Sequence, residues 1–239
     1  MQQRATIGID VGTSAVKGLL VGPDGRVLAS AIREYPLLTP APGWTEQEPE
    51  EWWQATVQVL RELAGQDDVE IAGLGLAGQM HGSVFLDAKD QVIRPALLWN
   101  DGRTGAQAAE IEQRVGRQRL IEITGNAASA GMQAPKILWL REHEPDAYRR
   151  LAKVLLPKDF VRLRLTGSYG TDPADASGTL LFDLNARNWS EELLAALEIP
   201  RDWLPEVAES PELAGRLTEE AAALTGLPAG LPVAAGAGD

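Results

Sequence analysis

The sequence predicts an α/β fold in which a mixed sheet is flanked by helices. Three observations carry that prediction. Three β-like runs open the chain, an amphipathic helical segment follows them, and a short run of small apolar residues comes directly after the helix. Hydrophobic residues make up 44% of the 239, enough to bury a substantial core within one large domain.

The opening runs are Thr6–Val11, Ala15–Val21 and Arg26–Tyr35. Gly12-Thr13-Ser14 and Gly22-Pro23-Asp24-Gly25 separate them, and such connections predict hairpins and an antiparallel meander. Pro36 to Pro49 is rich in proline and predicts an extended loop. At Pro49 a helix begins, with Glu50 and Glu51 where the positive end of the helix dipole favours them. Trp53, Val57, Leu60 and Ala64 then recur on one face, and Gly65 is the stop. Ile71–Ala77 suits a buried strand reached by a helical crossover. The order β-β-β-α-β is that of the ribonuclease H-like fold found in actin and the hexokinases.

Further along, Ser83–Asp87 and Val92–Trp99 predict a hairpin around Ala88–Gln91, and Gly105–Ile123 a polar-faced helix. Pro135–Glu142 predicts a helix ending near Pro145, and Val154–Leu165 a buried strand running into a helix. Trp189–Leu197 and Thr218–Leu224 predict short helices, the second capped by Thr218. Leu231–Ala235 is a small-residue strand entering Gly236-Ala237-Gly238-Asp239. A strand of that kind ordinarily turns and continues, so a longer parent chain is expected. Trp53, Trp139 and Trp203 are expected in the core, and His143, between Glu142 and Glu144, in a solvated charge cluster.

Composition excludes several function classes. A net charge of −12 opposes binding to nucleic acid or to anionic membrane surfaces. The absence of cysteine removes disulfides, thiolate metal sites and cysteine nucleophiles, and two histidines leave little for a histidine metal site. No apolar signal core precedes the first strand, and no stretch approaches the roughly 20 apolar residues of a membrane span. A soluble, cytoplasmic protein is the expectation.

Four segments could carry chemistry. Asp10 ends a strand and is followed by Gly12, Thr13 and Ser14, with Lys17 beyond. Backbone N–H groups and hydroxyls in such a turn can cradle phosphate, with the carboxylate near magnesium; an ordinary β-turn uses the same residues. This is not the Walker pattern, so P-loop chemistry is not implied. Gly78-Gln79-Met80-His81-Gly82 follows a buried strand, where α/β sheets gather ligands; His81 either reaches a polar small molecule or bonds to backbone. Trp99-Asn100-Asp101-Gly102-Arg103 offers an apolar wall and fixed polar groups suited to a sugar, unless Asp101 and Arg103 simply pair at the surface. Asp239 follows glycines that allow close approach to a substrate, although a terminal aspartate alone signals little.

Taken in order, I-G-I-D-V-G-T-S-A-V-K, G-W-T-E-Q-E-P-E-E-W-W, G-L-A-G-Q-M-H-G and L-W-N-D-G-R resemble the FGGY carbohydrate kinase family. A-P-K-I-L-W-L-R-E-H-E-P, L-P-K-D-F-V-R-L-R-L-T-G, T-D-P-A-D-A-S-G-T-L-L-F-D-L and the terminal G-A-G-D extend the resemblance along the whole chain. Gln79-Met80-His81-Gly82 resembles the xylulokinase branch, which phosphorylates a ketopentose. The resemblance implies that Asp239 is the catalytic base and that Asp10 sits near magnesium, held through water, and the transferring phosphoryl group. It implies phosphate binding by Gly12, Thr13, Ser14 and Lys17, and sugar contacts at Met80, His81 and Asp101. ATP and Mg2+ are the expected cofactors. The expected partners are a small sugar, ATP and a carboxy-terminal nucleotide-binding domain beyond residues 1–239; a homodimer is compatible with the sequence. Gln133 departs from the family pattern, where Thr, Ser or Pro is more usual.

Overall fold

A computed structural model describes residues 3–66 and 68–239. Strands β1 (Gln3–Val11), β2 (Ala15–Val21) and β3 (Val27–Glu34) form the expected antiparallel meander. A two-residue strand, β4 (Glu46–Gln47), leads into helix α1 (Pro49–Ala64), which crosses to β5 (Val69–Gly78). β5 lies parallel to β1. The crossover is helical because parallel neighbours cannot be joined by a tight turn. Pro49 opens α1, Glu50 and Glu51 occupy its first turn and Arg61 its last, each in accord with the helix dipole.

Next come β6 (Val84–Leu86), β7 (Ala96–Leu97), α2 (Gly105–Val115), α3 (Arg117–Thr124), α4 (Gln133–His143) and α5 (Pro145–Arg150). Then follow β8 (Lys153–Leu155), α6 (Pro157–Thr166), α7 (Pro173–Ser177), β9 (Phe182–Asp183), β10 (Asn188–Trp189) and α8 (Glu191–Leu197). The chain closes with β11 (Leu213–Arg216), α9 (Glu219–Thr225), β12 (Pro232–Ala234) and β13 (Ala237–Gly238). The main sheet runs β11-β12-β5-β1-β2-β3, and β13 also pairs with β5. β12 and β13 run parallel to β5, so the sheet is mixed as expected.

Two cores are distinguishable. In the first, Ile7, Ile9 and Val11 of β1 pack with Trp52, Val59, Leu60 and Leu63 of α1. In the second, Ile111, Ile137, Leu138, Leu180 and Leu193 join the helices after β7. Among the described residues no helix is long and apolar enough to cross a membrane.

Several sequence expectations need correction. The helix expected over Gly105–Ile123 is two, because Gly116 takes φ +90° and breaks it. The arms of the expected hairpin do run antiparallel, bridged at Leu86–Val92 and Ser83–Leu97 and joined by the Asp87 N–H to the Gln91 carbonyl and the Ile93 N–H to the Phe85 carbonyl. Pro95 has no N–H to extend the ladder, and the short strands in the arms pair outward as well, β6 with β8 and β7 with β4. Trp189 belongs to a strand, since Ser190 is the cap whose hydroxyl accepts from the Leu193 N–H and starts α8. Trp203 is only partly buried and packs edge-on against Tyr148. His143 stacks on the Trp139 ring, with centroids 5.0 Å apart.

Candidate active site

Strand register assembles the site. Asp10 and Val11 of β1 stand beside Ala77 and Gly78 of β5, which stand beside Ala237 and Gly238 of β13. Asp10, Gln79 and Asp239 therefore emerge at one carboxyl edge of the sheet, the place where open α/β sheets bind ligands. Asp10 and Asp239 are close enough to feel one another. The Asp10 carboxyl is pushed above its ordinary range, first by burial and then by the Asp239 charge, while Lys17 opposes the shift. Lys17 lies directly across the β1–β2 pair from Asp10, with an exposed side chain. Two glycines let the last strand approach. Gly236 has φ +87°, and an added Cβ there would run into the Leu76 carbonyl. At Gly238 an added Cβ would lie 2.8 Å from Cγ of Met80.

The Gly12–Ser14 turn is held by its carbonyls. The Gly12 carbonyl accepts from the Tyr35 hydroxyl and, at 3.2 Å, from the Gln79 amide. The Thr13 carbonyl accepts from the Gln47 amide at 2.7 Å, and the Ser14 carbonyl from the Tyr35 N–H at 3.3 Å. The Gly12 N–H is used inside the turn, donating to the Ala15 carbonyl at 3.1 Å. Among the described residues the Thr13 and Ser14 N–H groups donate to no other residue. Anchored carbonyls and free N–H groups make an anion-binding concavity, and two N–H groups, rather than three, are available to it.

Among the described residues Asp10 Oδ1 is buried without a hydrogen-bond partner. A hard carboxylate oxygen left orphaned beside a phosphate-type turn fits a magnesium ion. Among the described residues no cluster of three or more His, Cys, Asp or Glu side chains could hold a metal alone. A cation at Asp10 would thus draw its remaining ligands from water and substrate phosphates.

The opposite wall is polar and rigid. His81 takes φ 64°, unusual for a side-chain residue. Its backbone carbonyl accepts from the Lys136 ammonium at 2.7 Å, and its ring Nδ1 lies 2.7 Å from the Gly178 carbonyl. An acceptor at Nδ1 makes that nitrogen the N–H donor and leaves Nε2 as an acceptor for a hydroxyl. Burial, foremost, holds the ring's pKa below its ordinary value, which keeps it neutral. Lys136 is fully buried and also donates to the Gly131 carbonyl at 2.7 Å. Burial lowers its pKa to about 7. Met80 is half-buried, with Cε beside Gly178 and Cγ beside Gly238. The half-exposed Trp99 ring donates its indole N–H to the Thr13 hydroxyl at 3.1 Å, joining this wall to the turn.

Asp101 does stand in this region, but its oxygens are occupied. Oδ2 accepts from the Thr45 N–H at 2.7 Å and from Arg103 Nη2 at 2.8 Å. Oδ1 accepts from the Arg103 N–H and Nε, each at 2.9 Å. The Asp101–Arg103 pair is buried, not superficial, with Arg103 stacked 3.8 Å over the Trp44 ring. Four internal bonds use the lone pairs a sugar would need, so Asp101 braces the 99–103 loop. Gln133 is buried and donates to the Leu155 carbonyl at 3.4 Å, toward β8.

Residues 5–239 match the FGGY family of carbohydrate kinases, N-terminal domain. The chain belongs to that family. A xylulose kinase of Escherichia coli (strain K12) is 45% identical over 234 residues, 98% of this chain and 48% of the relative. The crystal structure of xylulose kinase from Rhodospirillum rubrum matches with TM-score 0.95 at 35% identity, over 99% of this chain and 49% of that one. The structure of gluconate kinase from Lactobacillus acidophilus matches with TM-score 0.94 at 27% identity, over 99% of this chain and 48% of that one. The fold is thus that of the sugar kinases, and the chain spans about half the length of the curated relatives it matches.

Proposed function

We propose that this chain is the sugar-binding half of an ATP-dependent ketopentose kinase that converts D-xylulose to D-xylulose 5-phosphate. The observation that carries the reading is the common edge of β1, β5 and β13, which brings Asp10, the Gln79–His81 loop and Asp239 together. The similarity to xylulose kinases over nearly the whole chain supports the choice of sugar.

Phosphoryl transfer demands alignment and charge stabilisation more than covalent help. Asp239 takes the proton from the terminal hydroxyl of the sugar, O5 in D-xylulose. That oxygen forms a bond to the γ-phosphorus of ATP as the bond to the β-phosphate oxygen breaks, giving ADP and the sugar phosphate. Asp239 then passes the proton to solvent. Neutral His81 accepts a hydroxyl at Nε2, and Met80 contributes an apolar contact. The Thr13 and Ser14 N–H groups, with Lys17, hold phosphate oxygens. Magnesium near Asp10 supplies neutralisation of phosphate charge. The nucleoside is left to a carboxy-terminal domain, and closure of the two halves keeps water from taking the phosphoryl group. The chain by itself is expected to be nearly inactive.

The test is a coupled ADP-release assay on the full-length protein with D-xylulose, L-ribulose, D-ribulose, gluconate and glycerol, beside Asp239→Ala. Preference for D-xylulose, with kcat reduced about 10²- to 10⁴-fold in the variant, is the expected result. Preference for another sugar retains the kinase and discards D-xylulose. No turnover on any of them discards the kinase in favour of a sugar-sensing module.

A further inference from the structure

Behind the edge that carries Asp239 lies a charge network with no part in the chemistry just described. The Lys158 ammonium is fully buried and lies 2.7 Å from Asp159 Oδ1, 2.7 Å from Asp172 Oδ2 and 2.9 Å from Asp175 Oδ2. Of these only the Asp159 contact has hydrogen-bond angles, so among the described residues Asp172 Oδ2 and both oxygens of Asp175 are buried without a hydrogen-bond partner. Arg162, also buried, donates to Asp159 Oδ1 at 2.7 Å and to the carbonyls of Gly170 and Ala235.

Two features show what the network supports. The Arg162 bond to the Ala235 carbonyl ties α6 to the residue immediately before Gly236 and β13. A Cβ at Gly238 would lie 3.3 Å from the Asp175 Cα, and one at Gly78 would lie 3.3 Å from the Lys158 Cβ. The ends of β5 and β13 therefore rest directly on α6 and α7. Buried charge of this kind is costly unless paired, and a wholly apolar contact would have sufficed to pack the strands.

We infer that Lys158 and Asp175 are positioning residues, which with Arg162 fix the end of β13 and so the placement of Asp239 at the reacting edge. Neither touches a substrate. The kinetic side of this inference rests on Asp239 being the base; the structural side does not.

Charge balance gives the device a second property. Two cations face three carboxylates, so the fully ionised network carries one uncompensated negative charge. A proton on Asp175 removes it. The charged groups around Asp175 are Lys158, Asp159 and Arg162 from α6 and Asp172 at the cap of α7; the strands packed on α7 also bring Asp239, after β13, and Asp183, on β9. Asp183 is engaged elsewhere, accepting from the Asn185 and Ala186 N–H groups. His81 meets α7 at Gly178 and stays neutral. Burial, foremost, raises the Asp175 pKa to about 7. The folded chain then holds a proton that the unfolded chain has released, so stability falls as pH rises from the ordinary carboxylate range to about 7 and is level beyond.

The experiment compares wild type, Lys158→Met and Asp175→Asn. Amide hydrogen exchange of this chain is followed at residues 78–80 and 235–239, and kcat and KM against pH are measured for the full-length protein. Lys158→Met is expected to speed exchange at those two segments at least ~10-fold, leaving α2 and α8 unchanged, and to lower kcat more than KM. Asp175→Asn keeps the shape and removes the titration. It is expected to reduce the loss of thermal midpoint between pH 5 and pH 8, leaving the part that Asp10 contributes, and to flatten any fall in kcat above pH 7. Unchanged exchange at residues 235–239 in a folded Lys158→Met, or exchange raised uniformly along the chain, overturns the inference. Should Lys158→Met not fold, Asp175→Asn decides alone, and pH profiles of stability and kcat identical to wild type overturn it. A full-length protein without kinase activity would defeat the proposed function while leaving the exchange result to judge the positioning.

Discussion

On the wall built by His81 and Asp101, polar groups are held from behind; at the edge that carries Asp10 and Asp239, the carboxylates stand without hydrogen-bond partners among the described residues. His81 is fixed at its carbonyl by Lys136 and at its ring by Gly178, and Asp101 is saturated by Thr45 and Arg103. Asp10, by contrast, has a buried oxygen with no hydrogen-bond partner among the described residues, and the neighbouring Asp239 carboxylate raises its pKa further. The difference follows the chemistry each side would perform. Recognition of a neutral sugar rewards preorganised donors and acceptors, whereas phosphoryl transfer needs charges that are compensated only when metal and phosphate arrive. On this reading one wall contributes to stability, and the other trades stability for function.

The sharpest way to break this contrast is Asp10→Asn. In the full-length protein kcat is expected to fall about 100-fold or more, as for loss of a preorganised electrostatic contact. The fold should gain. Because burial and Asp239 hold the Asp10 pKa above its ordinary range, stability falls as pH rises through that range, and asparagine removes the fall. The thermal midpoint of the variant should exceed that of wild type at pH 8 and match it near pH 3. A lower midpoint at pH 8 would mean that Asp10 stabilises the fold and that the two walls do not differ in this way.

His81→Gln examines the other wall. It should raise KM for the sugar about 10-fold, the value of one neutral hydrogen bond, with kcat little changed and no gain in stability. A drop in kcat with KM unaltered would move His81 from recognition to the chemical step. The pH response should also be opposite in sign to that of Asp10. Burial keeps His81 neutral below its ordinary range, so its contribution to stability is lost as pH falls, and glutamine removes that dependence.

How far the sequence disclosed these arrangements varied with the type of signal. The meander, α1 and β5 were legible because alternation, a proline start and an apolar helical face are local. Asp10 and the Gly12–Ser14 turn were legible as a pattern at a strand end, while Asp239 drew meaning only from the order of motifs along the chain. The Asp101–Arg103 pair was legible from its spacing, but its burial was not, since Trp44 and Trp139 cover it from distant positions. Lys136, Lys158 and Asp175 were missed because a charged residue on a helix ordinarily faces water. A signal did exist. Lys136 sits between Ala134 and Ile137, and Lys158 between Leu156 and Phe160, all buried, and a cation in so apolar a run must find buried partners.

The smallest expected effect concerns a hydrogen bond that joins the two walls. The Trp99 indole N–H donates to the hydroxyl of Thr13, whose own carbonyl is held by Gln47. Trp99→Phe keeps an aromatic face and removes only that donor. If the bond merely decorates an exposed ring, neither substrate will notice its loss. If it helps orient the turn, the loss amounts to about 1 kcal/mol, roughly 5-fold, and it falls on KM for ATP, not on KM for the sugar. An effect on the sugar alone would assign Trp99 to the recognition wall and leave the turn dependent on Gln47, Gln79 and Tyr35. An effect on ATP would show that the rigid wall steadies the uncompensated one, so that Trp99 helps to bridge the contrast between them.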